Sequence, residues 1–253
     1  MGKLRENRAK HRLQRGEIVT VVSGFESPNV IDLLGPSGVD GIWIEGEHGH
    51  VDFADIPNLT RACDLWGMTS VVRVNQNNLG LIYRTFDVGA QGVVVPHVNT
   101  AEEARAVVDA AKFHPIGHRG MYGSRQGYGC DDYFMQANDE TMVIVLIEDI
   151  VAIENLSEIL KVDHIDVFFV ASYDLGQSMG IMNGNMHPEV RSVERQALKQ
   201  IVASGRVAGT TVLDGQPAEH VELGVRFLAS LGSAGLTAYT RDFLDRVHAA
   251  AGS

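Results

Sequence analysis

GVVVPHVNTAEEARAVVDAAK, residues 92–112, contains one whole strand–turn–helix unit. Val93, Val94 and Val95 are β-branched and put apolar side chains on both faces, as a parallel strand covered on both sides requires. Thr100, with Glu103 three positions on, forms a capping box that starts a helix running to Lys112. The same rhythm extends outward. Toward the N-terminus, strands are expected at 70–74 (SVVRV), 41–45 (GIWIE) and 18–24 (IVTVVSG), with helices at 79–86, 55–65 and 27–34. Ser27 before Pro28 is a candidate helix cap, and Gly89 a candidate C-cap. Toward the C-terminus, strands are expected at 142–147, 166–171, 207–213 and 227–231, and helices at 153–160, 188–203, 217–223 and 236–251. About eight such units predict a (β/α)8 TIM barrel, an α/β fold, as a single domain over residues 1–253. A doubly wound open sheet is the rival. It would more often carry a glycine-rich phosphate turn after the first strand, and VSGFESPN is not a G-x-G-x-x-G.

Composition agrees with one folded, soluble chain: 253 residues, 45% hydrophobic and 21% charged. The net charge of −11 argues against a protein built to grip nucleic-acid phosphates or an anionic membrane, although a local basic pocket for a small anion remains compatible. Cys63 and Cys130 make neither a disulfide framework nor a structural zinc site. The charged segment 1–15 is expected as a helical extension, with no apolar signal-peptide region, and no run of ~18 apolar residues suggests a membrane span. A reducing cytoplasm is the default location. Glycine is enriched, at 27 residues, and five of them fall in the long segment 114–132. A loop of that length is usually functional, so it is expected to rim the site.

In a barrel of this kind the chemistry gathers at the C-terminal ends of the strands. The polar groups expected there are Glu45, Glu47, His48 and His50 after strand two, Arg73 on strand three, His97 after strand four, Glu148 and Asp149 after strand five, and Asp174 after strand six. Strands seven and eight offer only Thr210, Thr211, Asp214 and Ser233. Glu148 and Asp174 are one strand–helix unit apart. Two such carboxylates suit Mg²⁺ or Mn²⁺, while a solvated loop carboxylate or a helix cap is the alternative for each. His48 is a candidate general base, or a structural histidine. Arg73 inside an apolar strand needs an anion, either a substrate carboxylate or enolate or a neighbouring acid such as Glu45 or Glu47. Asp87 could orient a histidine, or simply occupy a helix end.

Several of these segments together resemble one family. IEGEHG, VVRVN, FDVGAQGVVVPHVNTAEEA, HPIGHRG, VLIE and the aspartate–leucine pair after strand six are similar, in order from about residue 16 to 250, to the HpcH/HpaI aldolases, class II pyruvate aldolases of the 4-hydroxy-2-oxoheptanedioate and 2-dehydro-3-deoxy-sugar-acid type. The resemblance implies a TIM barrel and reversible aldol cleavage of a 4-hydroxy-2-oxo acid to pyruvate and an aldehyde through an enolate. It also implies a divalent cation (Mg²⁺ or Mn²⁺, with Co²⁺ or Zn²⁺ as further candidates) and a homohexamer of swapped dimers, with the C-terminal helix in an oligomer contact. By position it implies Glu148 and Asp174 as metal carboxylates, Arg73 as the enolate-stabilising cation, His48 as the histidine acting through water at the metal, and Asp87 as the acid that pairs with that histidine. Substrate contacts are expected from Glu45, Ser172 and Tyr173, and from Ser124 in the long loop, where Tyr122, Arg125, Gln126 and Tyr128 are specificity candidates. No lysine stands at an inferred strand end, which disfavours Schiff-base chemistry. Two positions depart from the family pattern. Leu146 stands where glutamine is common, and Tyr173 where a small residue is common. These departures support a second reading, a barrel that binds metal and keto acid with altered lyase or decarboxylase activity. A third, a metal-dependent hydrolase, rests only on the His48-x-His50 pattern.

Overall fold

A computed structural model describes residues 4–182, 184, 186–213 and 217–251; Asp214 lies outside them. Eight parallel strands close into a barrel in sequential order: β1 Val19–Ser23, β2 Gly41–Glu45, β3 Thr69–Arg73, β4 Gly92–Val95, β5 Met142–Ile147, β6 Val167–Val170, β7 Ala208–Thr211 and β8 Phe227–Leu231. β8 pairs back onto β1, with Val19 opposite Phe227. The helices are α1 Arg8–Gln14, α2 Pro28–Leu34, α3 Ile56–Leu65, α4 Leu79–Asp87, α5 Ala101–Ala111, α6 Tyr133–Glu140, α7 Ile150–Glu154, α8 Leu156–Ile159, α9 Ser172–Ser178, α10 Pro188–Ala203, α11 Ala218–Leu223 and α12 Gly232–Ala251.

Alternation along each strand divides the core in two. Inside the barrel, Val21, Trp43, Val71, Val94, Leu146, Phe169 and Phe227 interlock, with the Trp43 and Phe169 rings 5.1 Å apart. Outside, Ile42, Ile44, Val72, Val93, Val95, Val145 and Val170 pack against the helices. Burying each of these large side chains contributes roughly 1.5–3 kcal/mol, so both layers hold the strand ends rigidly. The capping box of α5 forms as its sequence predicts: Glu103 N donates to Thr100 Oγ1 at 3.1 Å, and the Glu103 carboxylate accepts from Thr100 N at 3.1 Å. Ser27 makes no side-chain cap bond, and Pro28 alone marks the start of α2. Gly89, just past α4, takes φ +114°, and a Cβ there would stand 2.5 Å from Arg125 Nε.

The N-terminal extension stoppers the bottom of the barrel. Ala9 and Leu13 of α1 join the inner core, Ala9 N donates to Thr69 Oγ1 at 3.0 Å, and Asn7 Nδ2 donates to Gln91 O at 3.0 Å. Segment 114–132 lies at this same end, so within one chain it does not rim the mouth as expected. It follows α5, whose C-terminus returns to the start of the strands. Ser124 Oγ donates to Phe86 O at 2.7 Å, Gln126 Nε2 to Gly89 O at 2.6 Å, and Arg125 pairs with Asp64 at 2.7 Å. Cys63 and Cys130 are buried and free, and no helix among the described residues is long and apolar enough to cross a membrane.

Candidate active site

The strand ends opposite the α1 stopper carry a continuous polar cluster. Glu45 and Arg73 face each other in the β2–β3 register. Glu45 accepts from Arg73 Nε at 2.8 Å and from Nη2 at 2.8 Å. Its other oxygen accepts from the backbone N–H groups of Glu47 and His48 at 2.8 and 3.0 Å. Glu45, expected as a substrate contact, thus serves as the post that fixes both the arginine and the turn carrying His48. Gly46 is required in that turn: a Cβ would lie 2.5 Å from Arg73 O. Arg73 Nη1 reaches Glu47 at 2.7 Å. Burial pushes the Glu47 carboxyl above its usual range, against the opposing charges of Arg73 and His48.

Glu148 stands at the centre, 1% exposed. Its Oε1 accepts from the backbone N–H of His97 at 2.8 Å, while its buried Oε2 has no hydrogen-bond partner among the described residues. Burial pushes its carboxyl up to about 7; the His97 N–H and imidazole oppose that rise, and the nearby charges of Asp174 and Glu47 add to it. Asp174 lies in the first turn of α9, beside buried Ser172 and half-exposed Tyr173. Leu146, directly below on β5, is buried in the inner core with Trp43 and Phe169. An uncompensated buried carboxylate with one oxygen bound and the other open is what a hard divalent cation would satisfy, and a second carboxylate one strand away suits the same ion.

His48 is largely exposed at the mouth, with Nε2 3.9 Å from Glu47, and His50 pairs with Glu26 at 3.2 Å. The two histidines therefore face different partners, which removes the basis for a hydrolase-type H-x-H site. Among the described residues, no three His, Cys, Asp or Glu side chains are gathered as a ready-made metal cage.

Two expected members are not brought to this end within one chain. Asp87 is the last residue of α4, and Arg119 Nη2 donates to it at 2.8 Å rather than His48. Ser124 is buried as the cap of a short turn in the bottom loop. Conversely, Glu47, His97 and Asp149 join the cluster, although the sequence marks them only as strand-end polar groups. His97 Nδ1 pairs with Asp149 at 2.9 Å. Partial burial works against the imidazolium, but Asp149, Glu148 and Glu47 outweigh it and raise the His97 pKa. The signal that could have found His97 is the proline before it: Pro96 lacks an N–H, so β4 ends at Val95 and the next residue must turn into the mouth.

A buried carboxylate, a second acid one strand away and a clamped arginine thus stand at the mouth of a closed barrel, and one sequence family matches residues 21–237 of this chain. The chain belongs to the HpcH/HpaI aldolase/citrate lyase family. A 2-keto-3-deoxy-L-rhamnonate aldolase of Klebsiella pneumoniae subsp. pneumoniae is 34% identical to it over 236 residues, covering 90% of this chain and 88% of the relative. The enzyme of the same name from Escherichia coli K12 is 33% identical over 215 residues, covering 83% and 80%. The crystal structure of an HpcH/HpaI aldolase/citrate lyase family protein from Burkholderia cenocepacia superposes with a TM-score of 0.89 at 27% identity, covering 96% of this chain and 99% of that one. This HpcH/HpaI member is accordingly an enzyme of the aldolase type, a carbon–carbon lyase.

Proposed function

We propose that the enzyme catalyses reversible aldol cleavage of a 4-hydroxy-2-oxo acid to pyruvate and an aldehyde, with Mg²⁺ or Mn²⁺ held by Glu148 and Asp174. The observation that carries this reading is Glu148, buried, with one oxygen fixed by the His97 N–H and the other without a hydrogen-bond partner among the described residues. The cation, when bound, supplies a Lewis acid for the keto group of the substrate. Arg73 supplies fixed positive charge beside it. Glu45 holds the guanidinium by its Nε and Nη2 edge, so that Nη1, shared with Glu47, is the donor that can turn to a developing enolate. Burial, which raises the proton affinity of Glu47, weakens its hold on Nη1 relative to that of Glu45 on the other edge. His48, exposed on the Glu45-anchored turn, is positioned to take the proton of the substrate 4-hydroxyl and return it in the synthetic direction. The relatives named as 2-keto-3-deoxy-L-rhamnonate aldolases support a hydroxylated sugar-acid substrate.

The resemblance pairs Asp87 with His48, yet they lie at opposite ends of one chain. Two copies related by a two-fold axis reconcile the two, with Asp87 of each serving the mouth of the other. The unpacked α12, which has no buried residue, supports assembly as well. The decisive assay is release of pyruvate from 4-hydroxy-2-oxo acids by metal-loaded enzyme, with EDTA as the control. Activity abolished by EDTA and restored by Mn²⁺ is expected. A metal-loaded enzyme that neither releases pyruvate nor consumes it with a broad aldehyde panel excludes the proposal.

A further inference from the structure

His97 is held more firmly than its exposure suggests. Its side chain is 54% exposed, yet its backbone sits at φ +53°, a conformation that costs a non-glycine residue about 1 kcal/mol or more. Two interactions keep it there. The backbone N–H donates to Glu148 Oε1 at 2.8 Å, and the ring Nδ1 meets Asp149 at 2.9 Å. With Nδ1 engaged, the ring cannot swing away, and Nε2 projects over the mouth. There it is 4.0 Å from Glu47 Oε1, beyond hydrogen-bond reach. The result is an oriented ring nitrogen near Glu47 and Glu148 that, among the described residues, has no hydrogen-bond partner.

We propose that His97 is a specificity-determining residue whose Nε2 hydrogen-bonds a hydroxyl on the aldehyde half of the substrate. The surroundings select the ligand class. Glu47, Glu148 and Asp149 encircle the ring, so an anionic group would meet three carboxylates, and an apolar group would leave the nitrogen unpaired. A neutral hydroxyl can donate to Nε2 or accept from it, so the contact is available in either ring form. A hydroxyl next to the aldehyde carbon lies beyond the atoms that Arg73, Glu148 and Asp174 would engage, on the outer side where His97 stands. A site built to bond a hydroxyl discriminates strongly against the analogue that lacks it, because the buried or half-buried partner is then left unpaired.

This inference rests on the aldolase reading, and one experiment separates the two. Metal-loaded enzyme is given pyruvate with glyceraldehyde or with propanal, and kcat/KM is measured for each aldehyde. Exchange of pyruvate methyl protons with D₂O is followed in parallel on the unmodified enzyme. The variant is His97→Gly, which accepts φ +53°, keeps the N–H to Glu148 and deletes only the ring. The unmodified enzyme is expected to prefer glyceraldehyde, and His97→Gly to reduce the glyceraldehyde-to-propanal ratio about tenfold, the worth of one lost hydrogen bond. Exchange and addition with an unchanged ratio overturn the His97 assignment alone. Absence of both exchange and addition in the unmodified enzyme overturns the aldolase reading and this inference with it. Should His97→Gly lose activity toward both aldehydes, His97→Gln decides. It restores a side-chain donor at about the same reach, so a retained ratio supports the assignment and a collapsed one overturns it.

Discussion

Arg73 shows how a residue's partners change the experiment that tests it. Glu45 and Glu47, both largely buried, share its charge. Arg73→Ala would strand two carboxylates and cost about 2–4 kcal/mol of stability, mixing a folding defect into any loss of turnover. Arg73→Lys keeps the charge and loses the fork. We expect its melting temperature to stay within a few degrees of the parent while kcat falls at least ~100-fold; a kcat within threefold would show that the fork has no role in the reaction. Glu148 gives a pH prediction. Its carboxyl titrates near 7 in the folded, metal-free chain and near its ordinary 4.5 when unfolded. Between those values the folded state binds the extra proton, so stability falls as pH rises through the window. Glu148→Gln removes the titration. Metal-free Glu148→Gln should therefore melt at higher temperature than the parent above pH 7, and the gap should close toward pH 5. A pH-independent gap would contradict the buried, uncompensated carboxylate. Glu148 and Arg73 were legible in the sequence because an ionisable residue ending or interrupting an apolar strand has few places to go. The role of Glu45 was not, because strand register, and hence its pairing with Arg73, is a property of two segments together.

The elements most legible were the strands, since Val93–Val95 or Ile144–Ile147 can only be buried on both faces. Least legible were short polar helices. SYDLGQS, which forms α9 and presents Asp174, and YFMQANDE, which forms α6, lack a clear apolar stripe. The expected helix over 153–160 is two pieces, α7 and α8, broken at Asn155. α1 was expected only as an extension, and its energetic part depends on Asn7. That fully buried side chain donates to Gln91 O and Glu140 O and accepts from Lys10 N and Thr69 Oγ1. Asn7→Ala should cost about 2–3 kcal/mol in urea unfolding, because it leaves several buried groups unpaired at once; a change under 0.5 kcal/mol would show that α1 is not a structural stopper. α12 poses the converse problem. Leu236, Tyr239, Phe243 and Val247 recur at helical spacing and all are exposed, whereas a barrel's last helix ordinarily packs against its neighbours. A second copy of this chain, as proposed above, would cover that stripe. The enzyme should run as a dimer or larger by light scattering at micromolar concentration, and Phe243→Asp should shift it toward monomer. A monomeric parent would dismiss the assignment.

At the scale of the whole molecule, the separation of Asp87 from His48 makes a claim that no single-chain experiment can reach. If Asp87 only anchors Arg119, replacing it weakens the bottom loop and nothing more. If it also completes the mouth of a neighbouring copy, His48→Ala and Asp87→Asn are lesions in different halves of the same site. Each variant alone is then inactive at every mouth. A mixed dimer, however, has one mouth with both lesions and one with neither, because each functional mouth draws His48 from one chain and Asp87 from the other. Random reassembly of equal amounts makes about half the dimers mixed, so the mixture should recover about a quarter of the parent activity where either variant alone has almost none. Refolding the two together, rather than mixing assembled protein, lets the chains exchange. Arg119→Lys provides the comparison for the structural role: it disturbs the Asp87 contact at the bottom of its own chain and should show no complementation pattern with His48→Ala. Recovery confined to the His48→Ala and Asp87→Asn pair places the complete site between copies. No recovery, from chains shown to exchange, leaves Asp87 as the anchor of Arg119 and returns the orientation of His48 to the turn that Glu45 holds.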